Sequence, residues 1–123
     1  MQAIHSEKAP KAVGAYVQAV VDRGLLFTSG QLPLNPVTSE MSEDIGEQTA
    51  QAMKNIQAIV EEAGSSMERV IKCTLFIRDM SAFPKIDEVY RSFFKERFPA
   101  RCCVEVSALP KGALIEIEAI ASV

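Results

Sequence analysis

Residues 99–118 read PARCCVEVSALPKGALIEIE, and the pattern in this stretch decides the fold class. Apolar and polar residues alternate from Arg101 to Ser107 and again from Leu114 to Ile120, the period-2 signal of half-buried strands. Pro110, Lys111 and Gly112 supply a turn between them, so the reading is strand, turn, strand. Alternation sorts the side chains. Arg101, Cys103, Glu105 and Ser107 share one side of the first strand, Cys102, Val104 and Val106 the other, and Glu116 and Glu118 share a side of the second. If the two strands pair, a fixed positive charge, a thiol and one or two carboxylates come into one neighbourhood. That neighbourhood is either a solvated sheet face with cross-strand ion pairs or a small-molecule site, and spacing alone does not choose.

Working outward from this stretch, Arg69 to Ile77 is β-branched and apolar enough for a central strand, with Cys73 a small buried hydrophobe. Asp79-Met80-Ser81 closes that strand and caps a helix whose first turn tolerates Pro84. Phe83, Ile86, Val89 or Tyr90, Phe93 and Phe94 form its buried stripe, and Pro99 stops it. Upstream, Ile45, Thr49, Ala52, Met53, Ile56, Ile59, Val60 and Ala63 recur at helical spacing, with Ser42 as N-cap and Gly64 as terminator. Tyr16 to Val21 and Leu25 to Ser29 flank Asp22-Arg23-Gly24 as a hairpin, and a short strand opens the chain. Two helices then cover one face of a mixed sheet, an α+β domain. The other face stays bare and is a candidate oligomer interface.

A chain of 123 residues makes one domain, 1–123. Its net charge of -3, with Lys and Arg scattered, gives no basic stripe for nucleic acid. No stretch approaches the roughly 18 apolar residues of a membrane span, and no signal-type segment opens the sequence, so the expected compartment is the cytoplasm. The odd count of three cysteines, two of them adjacent, fits a reducing compartment and no disulfide. Cys102 and Cys103 point to opposite faces and cannot clasp one metal, and His5 is the only histidine. Neither a metal, another cofactor nor histidine-based catalysis is expected.

The run Pro99-Ala100-Arg101, then Val104-Glu105-Val106, Leu109-Pro110-Lys111 and Ile115-Glu116-Ile117-Glu118-Ala119, resembles the C-terminal signature of the Rid (YjgF) family of reactive-intermediate imine/enamine deaminases. Val13-Gly14-Ala15-Tyr16, Thr28-Ser29-Gly30-Gln31-Leu32-Pro33, Ala63-Gly64 and Arg78-Asp79 extend the resemblance over almost the whole chain. It implies a chorismate-mutase-like two-layer fold, a homotrimer with clefts between subunits, and hydrolysis of 2-imino acids to 2-oxo acids and ammonia without a cofactor. By the same resemblance Arg101 binds the substrate carboxylate and Glu116 directs the attacking water. Tyr16, Ser29, Gly30, Phe83, Asp87 and Cys103 then line the pocket, Cys103 as a wall and not a nucleophile. Two departures stand out: Ala15 replaces a common Pro, and Asp87 replaces a common Asn, placing a carboxylate near Arg101. The rival readings are a regulatory binder of small carboxylates without turnover and a ribonuclease or translation inhibitor.

Overall fold

The computed structural model describes all residues, 1–123, as one six-stranded mixed sheet carrying two helices. The strands are β1 (Gln2–Ile4), β2 (Ala19–Asp22), β3 (Leu25–Thr28), β4 (Val70–Ile77), β5 (Ala100–Glu105) and β6 (Ile115–Ser122). The helices are α1 (Ile45–Glu62) and α2 (Phe83–Arg91). Their order across the sheet is β1-β2-β3-β6-β4-β5, with only the β4–β5 pair parallel. Neither helix is long and apolar enough to cross a membrane.

The hairpin expected between the two C-terminal strands is absent, because β4 lies between them. β5 returns from α2 as a parallel neighbour of β4, the usual outcome of a strand-helix-strand crossover, while β6 pairs antiparallel with both β4 and β3. The link from β5 to β6 crosses the end of β4, held there by Val106 N–H donating to the Ile77 carbonyl and Arg78 N–H to that of Leu114. Pro110-Lys111-Gly112 is a 3-10 turn within that link. The β2–β3 hairpin does form. It turns on Arg23 and Gly24, both at positive φ (51° and 79°), which matches the right-handed twist of its strands.

Alternation divides the sheet sharply. Ile115, Ile117, Ala119 and Ala121 of β6 join Cys73, Leu75 and Ile77 of β4 and Leu26 of β3 under the helices. A bulge between Val70 and Lys72 lets Val70 face the core as well, although it is three residues from Cys73. Against them α1 buries Ala52, Met53, Ile56, Ile59 and Val60, and α2 buries Ile86 and Tyr90. Asp44, not Ser42, caps α1 by accepting from Glu47 N–H; the Ser42 hydroxyl supports it, accepting from Asp44 N–H and donating to Glu47. α2 ends at Arg91, well before Pro99, and Phe94 reaches the core from the turns that follow.

The opposite face has no covering layer. Leu25, Phe27 and Val104 are exposed on it beside half-buried Phe76 and Ile120. Leu75, fully buried and in register between Ile117 and Cys103, tests the interposed position of β4. Replacing Leu75 with Ala lowers stability by about 2–5 kcal/mol, read from the urea midpoint at unchanged slope.

Candidate functional site

Glu116 stands opposite Phe76 on β4, on the bare face. The chain around it is pinned by backbone pairing. Gln31 and Ile117 exchange two N–H to carbonyl bonds of 2.7 and 3.1 Å, and Ser29 N–H donates to the Gln18 carbonyl at 2.8 Å. The Ser29 hydroxyl donates to the Val17 carbonyl at 2.6 Å. Gly30 is thereby held against the Glu116 side chain so closely that a Cβ there would lie 2.8 Å from the carboxyl carbon. Gln18, buried, accepts from Ser6 N–H and donates to the carbonyls of Ser6 and Pro10, which fixes the segment leading to Tyr16.

These constraints shape a cleft of about 610 Å³ that holds Tyr16, Ser29, Gly30 and Glu116. Tyr16 is 51% exposed, and its hydroxyl accepts from Val13 N–H at 3.3 Å. Partial burial, with Glu118 on the same face as a second cause, pushes the Glu116 carboxyl above the ordinary glutamate range. Lys11 and Lys111 also line this cleft; the sequence reading placed Lys111 in the turn and the family signature but named neither lysine as a site residue. Each follows a proline, at opposite ends of the chain, and nothing local to either segment signals that the fold brings them together.

Arg101 lies on the other side of the sheet. It is in register with Cys73, so its side chain leans onto the helix layer, and its guanidinium sits 4.9 Å from the Phe83 ring centroid and 5.2 Å from that of Tyr90. Nη1 donates to Asp87 Oδ1 at 2.6 Å. Asp87 Oδ2 is 3.6 Å from Arg91 one helical turn on. The Arg101 hydrogen bond is the main reason the Asp87 carboxyl is held below the usual range. Glu105 holds the 3-10 turn Met80–Ala82 that leads into α2, accepting from Met80 N–H at 2.7 Å. Arg101, Asp87, Tyr90 and Arg91 line a second cleft of about 320 Å³.

Within one chain, then, the predicted residues form two groups on opposite faces of the sheet and not the single neighbourhood a hairpin would give. Tyr16, Ser29, Gly30 and Glu116 make one; Phe83, Asp87, Arg101 and half-buried Cys103 make the other. Tyr90 and Arg91 belong with the second, and the i, i+4 spacing of Asp87 and Arg91 was the available signal. The thiols of Cys73 and Cys103 are poor nucleophiles. Burial raises Cys103, and it pushes Cys73, packed against the Tyr90 hydroxyl, up to about 11.

The sequence profile described as Endoribonuclease L-PSP matches residues 6–123. The chain belongs to the Rid family. A RutC family protein of Haemophilus influenzae is 49% identical, over 98% of this chain and 95% of that one. The 2-iminobutanoate/2-iminopropanoate deaminase of Escherichia coli K12 is 46% identical, over 96% of this chain and 94% of the relative. The crystal structure of E. coli TdcF with bound serine superposes with a TM-score of 0.98 at 43% identity, covering 100% of this chain and 99% of that one. The α+β architecture is that of the Rid structures.

The raised Glu116 carboxyl has a consequence for stability. The fold favours its protonated form, so the contribution of this group is present below the ordinary glutamate range and is lost as pH rises through the raised value. The melting-temperature difference between Glu116→Gln and the parent should therefore shift in favour of Gln between about pH 3 and about pH 7. A difference that stays constant across that range would show that the carboxylate carries no burial penalty.

Proposed function

We propose that this Rid protein hydrolyses 2-imino acids and their enamine tautomers, such as 2-aminoacrylate/2-iminopropanoate and 2-iminobutanoate, to 2-oxo acids and ammonia. The observation that carries the reading is the pairing of a fixed cationic fork, Arg101 between two rings, with a carboxylate of raised pKa, Glu116, in a chain 46% identical to a deaminase of that name. The two groups occupy opposite faces of one sheet, so a complete site takes Arg101 from one subunit and Glu116 from another. The bare face, with Leu25, Phe27 and Val104 exposed, supplies the surface for such an assembly, a homotrimer with a cleft at each subunit boundary.

In this site Arg101 grips the substrate carboxylate through a planar, charge-assisted contact and sets the orientation of the C=N carbon. Glu116, ionised, accepts a proton from water as the oxygen attacks that carbon. The addition gives a carbinolamine. Glu116 returns that proton to nitrogen, which becomes an ammonium leaving group, and as the C–N bond breaks the carbinolamine hydroxyl gives its own proton to the again-ionised Glu116, so that ammonia leaves and the 2-oxo acid remains. Tyr16, Ser29 and the Gly30 backbone form the wall beside Glu116, with Phe83 and Cys103 on the Arg101 side. The three free cysteines fit a cytosolic setting.

An RNA-cleaving role, which the family description carries, finds little support in the charges. The net charge is -3, and the single histidine, His5, is an exposed residue bonded to Glu7. A regulatory binder without turnover would use the same Arg101 and leave Glu116 dispensable.

Ammonia release from 2-aminoacrylate generated in situ separates these readings. Arg101→Ala should lose both binding and turnover, whereas Glu116→Gln should still bind a 2-oxo acid and lose about 10² or more in rate. Gly30→Ala, which forces the Glu116 side chain to move, should fall with it. Two inactive variants also test the shared site. Subunits of Arg101→Ala and Glu116→Gln, unfolded together and reassembled in equal amounts, should regain about a quarter of parental activity, because that fraction of boundaries joins an intact Arg101 to an intact Glu116. A parent with no rate above buffer would favour the binder, and no recovery in mixed assemblies would place each site within one subunit.

A further inference from the structure

Asp87 is the one carboxylate in the Arg101 cleft, and it is already engaged there. Its Oδ1 accepts from Arg101 Nη1 at 2.6 Å, and its Oδ2 lies 3.6 Å from Arg91. The Arg101 contact is single-pronged. Nη2 and Nε have no acceptor within the chain, while Phe83 and Tyr90 hold the guanidinium plane. One edge of the fork therefore stays available in a fixed orientation. Two cations and one anion line the cleft, a net charge of +1 from Arg101, Arg91 and Asp87.

We propose that Asp87 is the specificity-determining residue of this site: it lets Arg101 accept one carboxylate and excludes substrates carrying a second, so that the chain takes 2-imino monocarboxylates and turns away 2-imino dicarboxylates. The inference rests on the reading of Arg101 as the carboxylate anchor. A monocarboxylate on the free edge of Arg101 brings the cleft to neutrality. A dicarboxylate of similar length adds a second negative charge beside Asp87, where half-buried surroundings screen repulsion less than water does. Discrimination of this kind comes from the repulsive element and not from a better contact to the preferred ligand. Asp87 also positions: its bond to Nη1 leaves the Nε–Nη2 edge of an arginine that lines the cleft without a partner in the chain.

The test measures binding and does not depend on turnover. Calorimetric affinities for 2-oxobutanoate and 2-oxoglutarate are determined for the parent, Asp87→Asn and Asp87→Ser, each first shown to keep the parental assembly. Asn retains an oxygen acceptor for Nη1 and removes only the charge; Ser removes the charge with less bulk and serves if the Asn variant misfolds. The parent should prefer 2-oxobutanoate, and in either variant that preference should shrink by about ten-fold, chiefly through tighter 2-oxoglutarate. A merely structural role would weaken both acids together and leave their ratio in place. A ratio within about two-fold of the parent's overturns the proposal alone. Failure of parent and variants to bind either acid overturns it together with the anchor role of Arg101. A parent that shows the expected preference and shift but releases no ammonia leaves the proposal standing and removes only the deaminase reading.

Discussion

The pairing of β6 with β4, which sets Glu116 opposite Phe76 and Ile117 opposite Leu75, governs everything the site can do. Side chains in a strand alternate strictly, so this register sends Ile115 and Ile117 into the core and Glu116 and Glu118 to the uncovered face. A slip by one residue would bury both carboxylates under α1 and expose the isoleucines. The register is therefore fixed by the hydrophobic core, and the placement of the glutamates follows from it. Because β4 also pairs with β5, the same core fixes Arg101 opposite Cys73, on the helix side. Stability and site geometry share one set of hydrogen bonds.

Much of this was legible beforehand. The alternation in residues 101–107 and 114–120 identified both strands, the helical stripe identified α1, and the family motif singled out Arg101 and Glu116. The pairing of the two C-terminal strands was not legible. Strands adjacent in sequence usually lie side by side, and Pro110-Lys111-Gly112 has the composition of a hairpin turn. What overrides that preference is long-range: α2 delivers β5 to the outer edge of β4, and the inner edge of β4 is left for β6. No feature within residues 99–118 records where β4 lies. The bulge at Val70/Lys72 was equally hidden, since it serves packing across the sheet and not local propensity.

Asp87 shows the opposite case, a local departure with an immediate structural meaning. The sequence reading marked it only as a carboxylate near Arg101, and its place one turn before Tyr90 puts it on the side of α2 that meets β5. The resulting chain from Arg91 through Asp87 to Arg101 ties the exposed edge strand to the helix layer. Its outer end, Arg91, is largely open to solvent, so the Arg91–Asp87 pair adds little to stability. The effect of the network is on the orientation of Arg101 and on the net charge of the cleft around it.

The uncovered face sets a demand that any assembly must meet. Leu25, Phe27 and Val104 favour its removal from water, but Glu116, Glu118 and Lys72 lie among them. Lys72 is opposite Ile120 and Glu118 is opposite Thr74, so the two are diagonal neighbours, and the chain makes no ion pair between them. Covering two adjacent carboxylates with a purely apolar surface would cost several kcal/mol, since each would lose solvent without gaining a partner. A subunit that covers this face must therefore bring cations or leave a water-filled gap beside the glutamates. The second solution keeps Glu116 half-buried and next to solvent, which is the environment in which a carboxylate can hold a raised pKa and still exchange a proton with water.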